Sequence, residues 1–433
     1  MSLDLLKKYI EYFSVDENYF PCIDDSAINA GAQWENTYPH ETFIKLLESL
    51  ARMLDGISRR SIWIYGAYGT GKSQCAYAIK QILDVPDNEL IKYWNNFEVL
   101  RENHVDLLRK LQAHREKGVL TVWRYASGSI TSPQKLFLAI QESISEALKT
   151  RPFAYIGTNT LRQNVLAWLS DETHSDFLDN LLKKPEYKST FKQVNSQEVI
   201  NSLKNDADVS SLMENIFMLA DNEGINTLKF TADTLRIWIK DVIRGNRGMK
   251  IVFIWDEFSD FFRNNANSLG EFQKVVAICQ EAPFYFVLVT HPVSSLAANN
   301  DAWKIVQQRF DRIEITLPDN IAFELISHAL LVKKDAFDDW ISLRADLSSE
   351  LSSPYKAVKK SARIDDASEI LLKILPLHPV TAFVLKNIAS AFQSNQRSIF
   401  DFIKTPAGSE FQVKAFQYFI ANTSPFDERP MLK

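Results

Sequence analysis

Two short stretches hold residues whose types and order suit a phosphorylated ligand. The first, Gly66-Ala67-Tyr68-Gly69-Thr70-Gly71-Lys72-Ser73, matches G-x-x-x-x-G-K-[ST]. Gly66, Gly69 and Gly71 let backbone N–H groups converge on phosphate oxygens without interference from Cβ, and Thr70 belongs to the same cradle. The helix that begins there adds partial positive charge. Lys72 would neutralise the β- and γ-phosphates, and the Ser73 hydroxyl would ligate Mg²⁺. The second stretch, "IVFIWDEFSDFF", places Asp256 and Glu257 at the end of an apolar run. Acids at the C-terminal tip of a buried parallel strand stand in the crevice where α/β sheets bind ligands. Asp256 would hold the hydration shell of Mg²⁺, and Glu257 would polarise an attacking water. The alternative is that both acids cap the next helix, where its dipole favours negative charge. Asp260 reads as a solvated or capping acid.

Five other positions could complete such a centre. "FYFVLVTHP" ends on Thr290, which could sense a γ-phosphate or orient the water, with His291 the weaker candidate and a plain turn before Pro292 the alternative. Arg309 and Arg312 in "VQQRFDRIEITL" could reach the γ-phosphate of a neighbouring subunit and stabilise transition-state charge, or form surface ion pairs. Arg397 in "SNQRSIF" could reach back from the C-terminal helices, or simply begin a helix.

These residues need a sheet to position them. "SIWIY" (61–65), "VLTVWRYA" (119–126), "KIVFIW" (250–255), "FYFVLV" (284–289) and the weaker "RIEITL" (312–317) read as buried strands separated by helical segments. The 119–126 and 284–289 strands are expected to flank the acid strand. The first sixty residues read as helical, with a clear 3.6-residue pattern in "HETFIKLLESLARMLDGI". From about 150 to 247 the pattern is a helical insertion, whose polar middle "LLKKPEYKSTFKQVNSQE" reads as a loop or mobile segment. Beyond residue 320 everything reads helical. Strands alternating with helices, then a run of helices, predict an α/β parallel-sheet domain carrying an all-helical one.

Composition narrows the function classes. The chain has 433 residues, 46% hydrophobic and 24% charged, which suits a globular protein of more than one packed unit. A net charge of −5 argues against an all-over nucleic-acid surface, although a local basic groove stays open. Arg109, Lys110, Arg115 and Lys117 form one basic cluster, and Lys359, Lys360 and Arg363 another. Cys22, Cys75 and Cys279 show no Cys-x-x-Cys spacing and read as small buried hydrophobes. Neither a signal peptide nor a membrane-length apolar run is evident, so a cytoplasmic location without membrane partners is expected. There is no Asn-Lys-x-Asp run, which weakens a GTPase, and no Leu-Ser-Gly-Gly-Gln, which weakens a transporter-type ATPase.

The combination resembles an AAA+ ATPase of the additional-strand (ASCE) class: the glycine loop, a strand before "WDE", a polar tip at Thr290, "QQRF", and C-terminal helices that would form a lid. More narrowly, it resembles the N-terminal ATPase region of BrxC/PglY-type proteins of bacterial BREX anti-phage defence. The carrying stretches are "WIYGAYGTGKSQ", "YWNNFEVLRENHVDLLRKLQAHREKG" and "LPLHPVTAFVLKNIASAFQSNQRSIFDFI". The resemblance implies a P-loop NTPase fold, a three-layer α/β/α sandwich with a parallel sheet. Its parts would be an N-terminal helical segment (1–57) packed on the core, a nucleotide-binding domain (58–320) and a helical lid (321–433). It also implies ATP and Mg²⁺ as ligands, with Lys72, Ser73, Asp256 and Glu257 binding and hydrolysing the nucleotide. Arg309 would be an arginine finger and Arg397 the lid arginine. Members of that family are much longer than this chain. An oligomerising switch or motor in a defence complex is the expected role, with a homo-oligomer, other defence proteins and DNA as partners to consider. The alternatives are a nucleotide-gated scaffold with negligible turnover and a DNA-loading or translocating ATPase similar to replication initiators.

Overall fold

A computed structural model describes residues 7–16, 34–66, 70–151, 154–157, 160–205, 209–228, 230–265, 268–292, 306–316, 323, 326–349, 351, 354, 356–358, 360, 371–384, 403, 416–427 and 431. The chain divides into two compact units, one of residues 45–65 and 79–313, the other of 1–44, 66–78 and 314–433.

Apolar, β-branched runs build the sheet of the first unit: β1 (Ser61–Tyr65), β2 (Val119–Tyr125), β3 (Lys250–Asp256), β4 (Phe284–Thr290) and β5 (Phe310–Glu314). They form one parallel sheet in the order β2-β3-β4-β1-β5. Asp256 lies opposite Tyr125, and Tyr65 lies opposite Thr290, so β1, β2, β3 and β4 all end on one edge. Both faces are covered, so β4 is buried along its whole length and β3 everywhere but Lys250. The covering helices include Pro133–Lys149, Ala232–Gly245 and Leu269–Val276, whose Phe137, Ile140, Leu235, Ile239 and Phe272 share one core with Phe253 and Phe286. Pro133 at the first helical position and Ser132, whose hydroxyl accepts from the Lys135 amide, start the first of these helices. The acid strand is flanked by β2 and β4 as expected. The strand between the loop strand and the acid strand, however, is β4, which follows "WDE" in the chain, whereas β2 closes the outer edge.

The polar stretch 181–198 is not a loop. Helices Glu172–Leu182, Pro185–Lys188 and Ser196–Lys204 cover half of it, and Leu181, Leu182, Tyr187, Phe191 and Val199 are buried. Pro185 and Asn195, which resemble loop residues, act as helix starters, and the Asn195 side chain accepts from the Glu198 amide.

In the second unit, Phe13–Val15 pairs antiparallel with Leu330–Val332, two segments that read as helix in the sequence. The helical reading of residues 13–15 is therefore corrected to a strand. Tyr9 and Phe13 pack on Trp340, and the Tyr9 amide donates to the Thr423 carbonyl, which ties the N-terminal stretch to the C-terminal part of the chain. Three residues are too short a run for helical and strand periodicities to be told apart, and aromatic packing decides. The helix Glu41–Leu54 does form, and His40 starts it: its Nδ1 accepts from the Phe43 amide and the Thr42 hydroxyl.

Candidate active site

The glycine loop leaves β1 directly, and Gly66 follows Tyr65 at the strand's C-terminal end. A Cβ on Gly66 would stand 2.5 Å from the Ile315 carbonyl oxygen, so the close backbone approach excludes any side chain there. Gly71 has φ +85°, a conformation that favours glycine, and it turns the chain into the helix Lys72–Asp84. Thr70 and Lys72 are buried and Ser73 is half-buried; Gly69 lies outside the described residues. The first turn of this helix is braced from below. Gln74 donates to the Thr37 hydroxyl at 2.7 Å, and Cys75 Sγ lies 3.9 Å from His40 Nε2. Burial pushes the Cys75 thiol up to about 12 and His40 down to about 4, so both are neutral packing groups at ordinary pH.

The sheet unit carries the acids. Asp256 is fully buried at the tip of β3, and its Oδ1 accepts from the Glu257 amide at 2.9 Å. Glu257 has φ +51°, a costly conformation for a residue with a side chain. Two contacts hold it there: the amide bond to Asp256, and its carbonyl, which accepts from Ser127 Oγ at 3.2 Å. Ser127 also accepts from the Phe261 amide, so one hydroxyl joins the end of β2 to the helix Ser259–Asn264. The N-cap residue of that helix, Phe258, makes no side-chain cap hydrogen bond. Below the tip, Trp255, Phe258, Phe261, Phe262 and Phe272 form an aromatic floor with ring centroids 4.7–5.9 Å apart. Asp260 is a solvated acid beside Arg263.

At the neighbouring tip the two sequence candidates exchange places. The Thr290 hydroxyl is buried, accepts from Trp63 Nε1 at 2.8 Å and donates to the His291 carbonyl at 2.8 Å. It locks β1 to β4 instead of presenting a group to a ligand. His291 instead reaches Glu257, with Nε2 3.5 Å from Oε2, and Ser259 Oγ anchors its amide at 2.8 Å. Ser127, Ser259 and Trp63 carry no motif spacing. Only the "SGS" after β2 and the serine of "WDEFSD" hint at the first two.

Arg309 directly precedes β5 at the opposite edge of the sheet, where its carbonyl accepts from the Ser61 amide. A five-residue strand spans on the order of 16 Å, so Arg309 does not reach the acid tips of its own sheet. Arg312 is exposed and donates to Gln307. Arg397 lies outside the described residues. In the 109–117 basic cluster, Arg109 pairs with Asp106 and Arg115 with Asp87. Cys279 is buried, as Cys75 is, and Cys22 lies outside the described residues. Among the described residues no helix is long and apolar enough to cross a membrane.

No family model, curated protein or solved structure matches this chain. What the fold and site define is an α/β protein with a five-stranded parallel sheet, whose C-terminal edge carries a buried aspartate and a strained, partly exposed glutamate.

Proposed function

We propose that the chain is a Mg²⁺-dependent ATPase of the P-loop, AAA+ type, a three-layer α/β/α core with C-terminal lid helices. The observation that carries this reading is the sheet order. β1, which leads into the glycine loop, and β3, which ends in Asp256-Glu257, are parallel and separated by one strand, and both end on the same edge. The backbone contact at Gly66 and the turn at Gly71 fit a phosphate cradle that side chains would fill. The Ser73 hydroxyl and the Asp256 carboxylate are hard oxygen donors of the kind Mg²⁺ takes. When bound, the ion would neutralise charge on the phosphate oxygens.

In this reading Lys72 binds the β- and γ-phosphates, and Asp256 fixes the direction of the following residue through its bond to the Glu257 amide. Glu257 accepts the proton of the attacking water as the terminal phosphate separates. His291 positions that carboxylate. Because Arg309 stands away from the acid tips of its own sheet, its role as a finger requires a second copy of the chain. The place in an anti-phage defence complex rests on the sequence resemblance.

The test is ATP hydrolysis by the wild-type chain beside Lys72→Ala and Asp256→Asn, with sedimentation in the presence and absence of ATP. We expect both variants to lose turnover at least a hundredfold, and ATP to promote association that Arg309→Ala weakens. Turnover by the wild type no higher than by Lys72→Ala overturns the ATPase reading.

A further inference from the structure

Along the outer side of β2, away from the acid tips, lies a cavity of about 1460 Å³ that the function above does not use. Pockets for small ligands measure about 300–1000 Å³, so this one has room for a molecule of nucleotide size or larger. Its wall is mixed. Leu138, Leu161, Leu166, Val209 and Met213 supply an apolar side. Among the described residues, Lys80, Arg115, Arg124, Lys149, Arg151 and Arg162 line it together with Asp84, Glu142 and Glu146. Six cations against three carboxylates leave a local excess of three positive charges in a chain whose net charge is −5.

The hydrogen bonding gives the ligand its sign. Gln141 is 4% exposed, and its Oε1 accepts from the Leu161 amide at 2.9 Å. That bond fixes which end of the amide is oxygen, and Nε2, the donor end, has no acceptor among the described residues. Arg124 Nη1 donates to Ser143 at 3.1 Å, while its buried Nε, like Arg115 Nε, has no acceptor among the described residues. Burying a donor without an acceptor is costly, more so for a charged group. Three such donors around one cavity, with cations in excess, call for a ligand rich in acceptor oxygens.

We propose that this cavity binds a phosphorylated small molecule, with the phosphate oxygens taken by Arg124, Gln141 and the Lys149–Arg151 rim and the organic part lying on the apolar wall. The unfilled donors belong to side chains, and guanidinium forks match phosphate oxygens. The site is independent of the ATPase reading. It has a path to the acid strand nonetheless. The Arg124 guanidinium lies 5.3 Å from the ring centre of Trp255, the residue before Asp256, and Trp255 Nε1 donates to the Ala126 carbonyl. A ligand that draws Arg124 into the cavity changes the packing behind that aspartate.

The experiment uses the full chain with Lys72→Ala, which weakens the glycine loop as a competing phosphate site. Inorganic tripolyphosphate and diadenosine tetraphosphate are titrated by calorimetry at low salt, with a glutamate decapeptide in parallel. We expect saturable binding of both phosphate probes, the dinucleotide more tightly. Gln141→Leu and, separately, the surface variant Lys149→Glu/Arg151→Glu should each weaken it at least tenfold. The surface pair keeps the test decisive if the buried substitution unfolds the chain. No saturable binding, or binding that none of these substitutions weakens, overturns the proposal. Binding of the peptide in place of the phosphates also overturns it and assigns the cavity to an acidic segment.

Discussion

Both ends of the sheet place a histidine against a carboxylate, and the two pairs are built for different work. At the N-terminal end, His114 is buried, with Nε2 3.0 Å from Asp55 and Nδ1 2.8 Å from Lys250 Nζ. Burial, then the Lys250 charge, lower its pKa, so the ring is neutral, accepts from the lysine and donates to the aspartate. Every polar atom of that imidazole has a partner, and the backbone around it is ordinary. At the C-terminal end, His291 and Glu257 meet at 3.5 Å, too long for a good hydrogen bond, with a third of the Glu257 side chain exposed and its backbone at φ +51°. A strained backbone under a long, partly exposed contact marks a group poised for something outside the chain, whereas the satisfied triad marks a structural joint.

The sharpest way to break this contrast is Glu257→Gln. It keeps the shape and both backbone bonds, so ATP turnover should fall about 10³-fold while ATP binding and melting temperature stay close to wild type. A variant that melts early would mean the glutamate is structural after all. Acid comes next in size. Histidines held neutral by burial have folded pKa values below the ordinary 6.5, so the unfolded chain binds more protons between the two values. Their stability is present above about pH 6.5 and is lost as pH falls, toward about 4 for His40. His40, lowered to about 4, accounts for about 3 kcal/mol of that loss. Denaturant melts from pH 7 to 4 should show the slope, and His40→Gln should flatten it.

Smaller again is His114→Leu, which leaves Lys250 without its acceptor and Asp55 without its donor. We expect a loss of about 2 kcal/mol in chemical denaturation with turnover per folded molecule unchanged. An equal loss of turnover and stability would erase the distinction between the two ends. The smallest effect falls on His291→Ala, a few-fold change in turnover with melting shifted by about 1 °C or less, since the pair is long and partly solvated. If Thr290→Val changes turnover more than His291→Ala, the assignment of those two tip residues is reversed.

Much of the site is legible in the sequence because its chemistry forces local patterns. Glycines at 66 and 71 are needed where backbone meets backbone or turns left-handed, and Asp256-Glu257 must follow an apolar run because parallel strands are buried on both faces. The helix after the loop and the five strand segments follow from the same periodicity. The local pattern put Thr290 ahead of His291 without the contact that tells them apart. Both end the same strand, and only the Trp63 bond to the threonine, formed across 227 residues, separates a lock from a positioning group.

The order of the strands, the left-handed backbone of Glu257 and the three unfilled donors beside β2 were likewise decided by tertiary structure. So was the pairing of Phe13–Val15 with Leu330–Val332, which took the N-terminal stretch to the C-terminal part of the chain. The physical reason is common to all of them. Local patterns report which residues must be buried or must bend. Which partners they find depends on contacts between segments hundreds of residues apart, whose energies appear only once the chain has closed on itself.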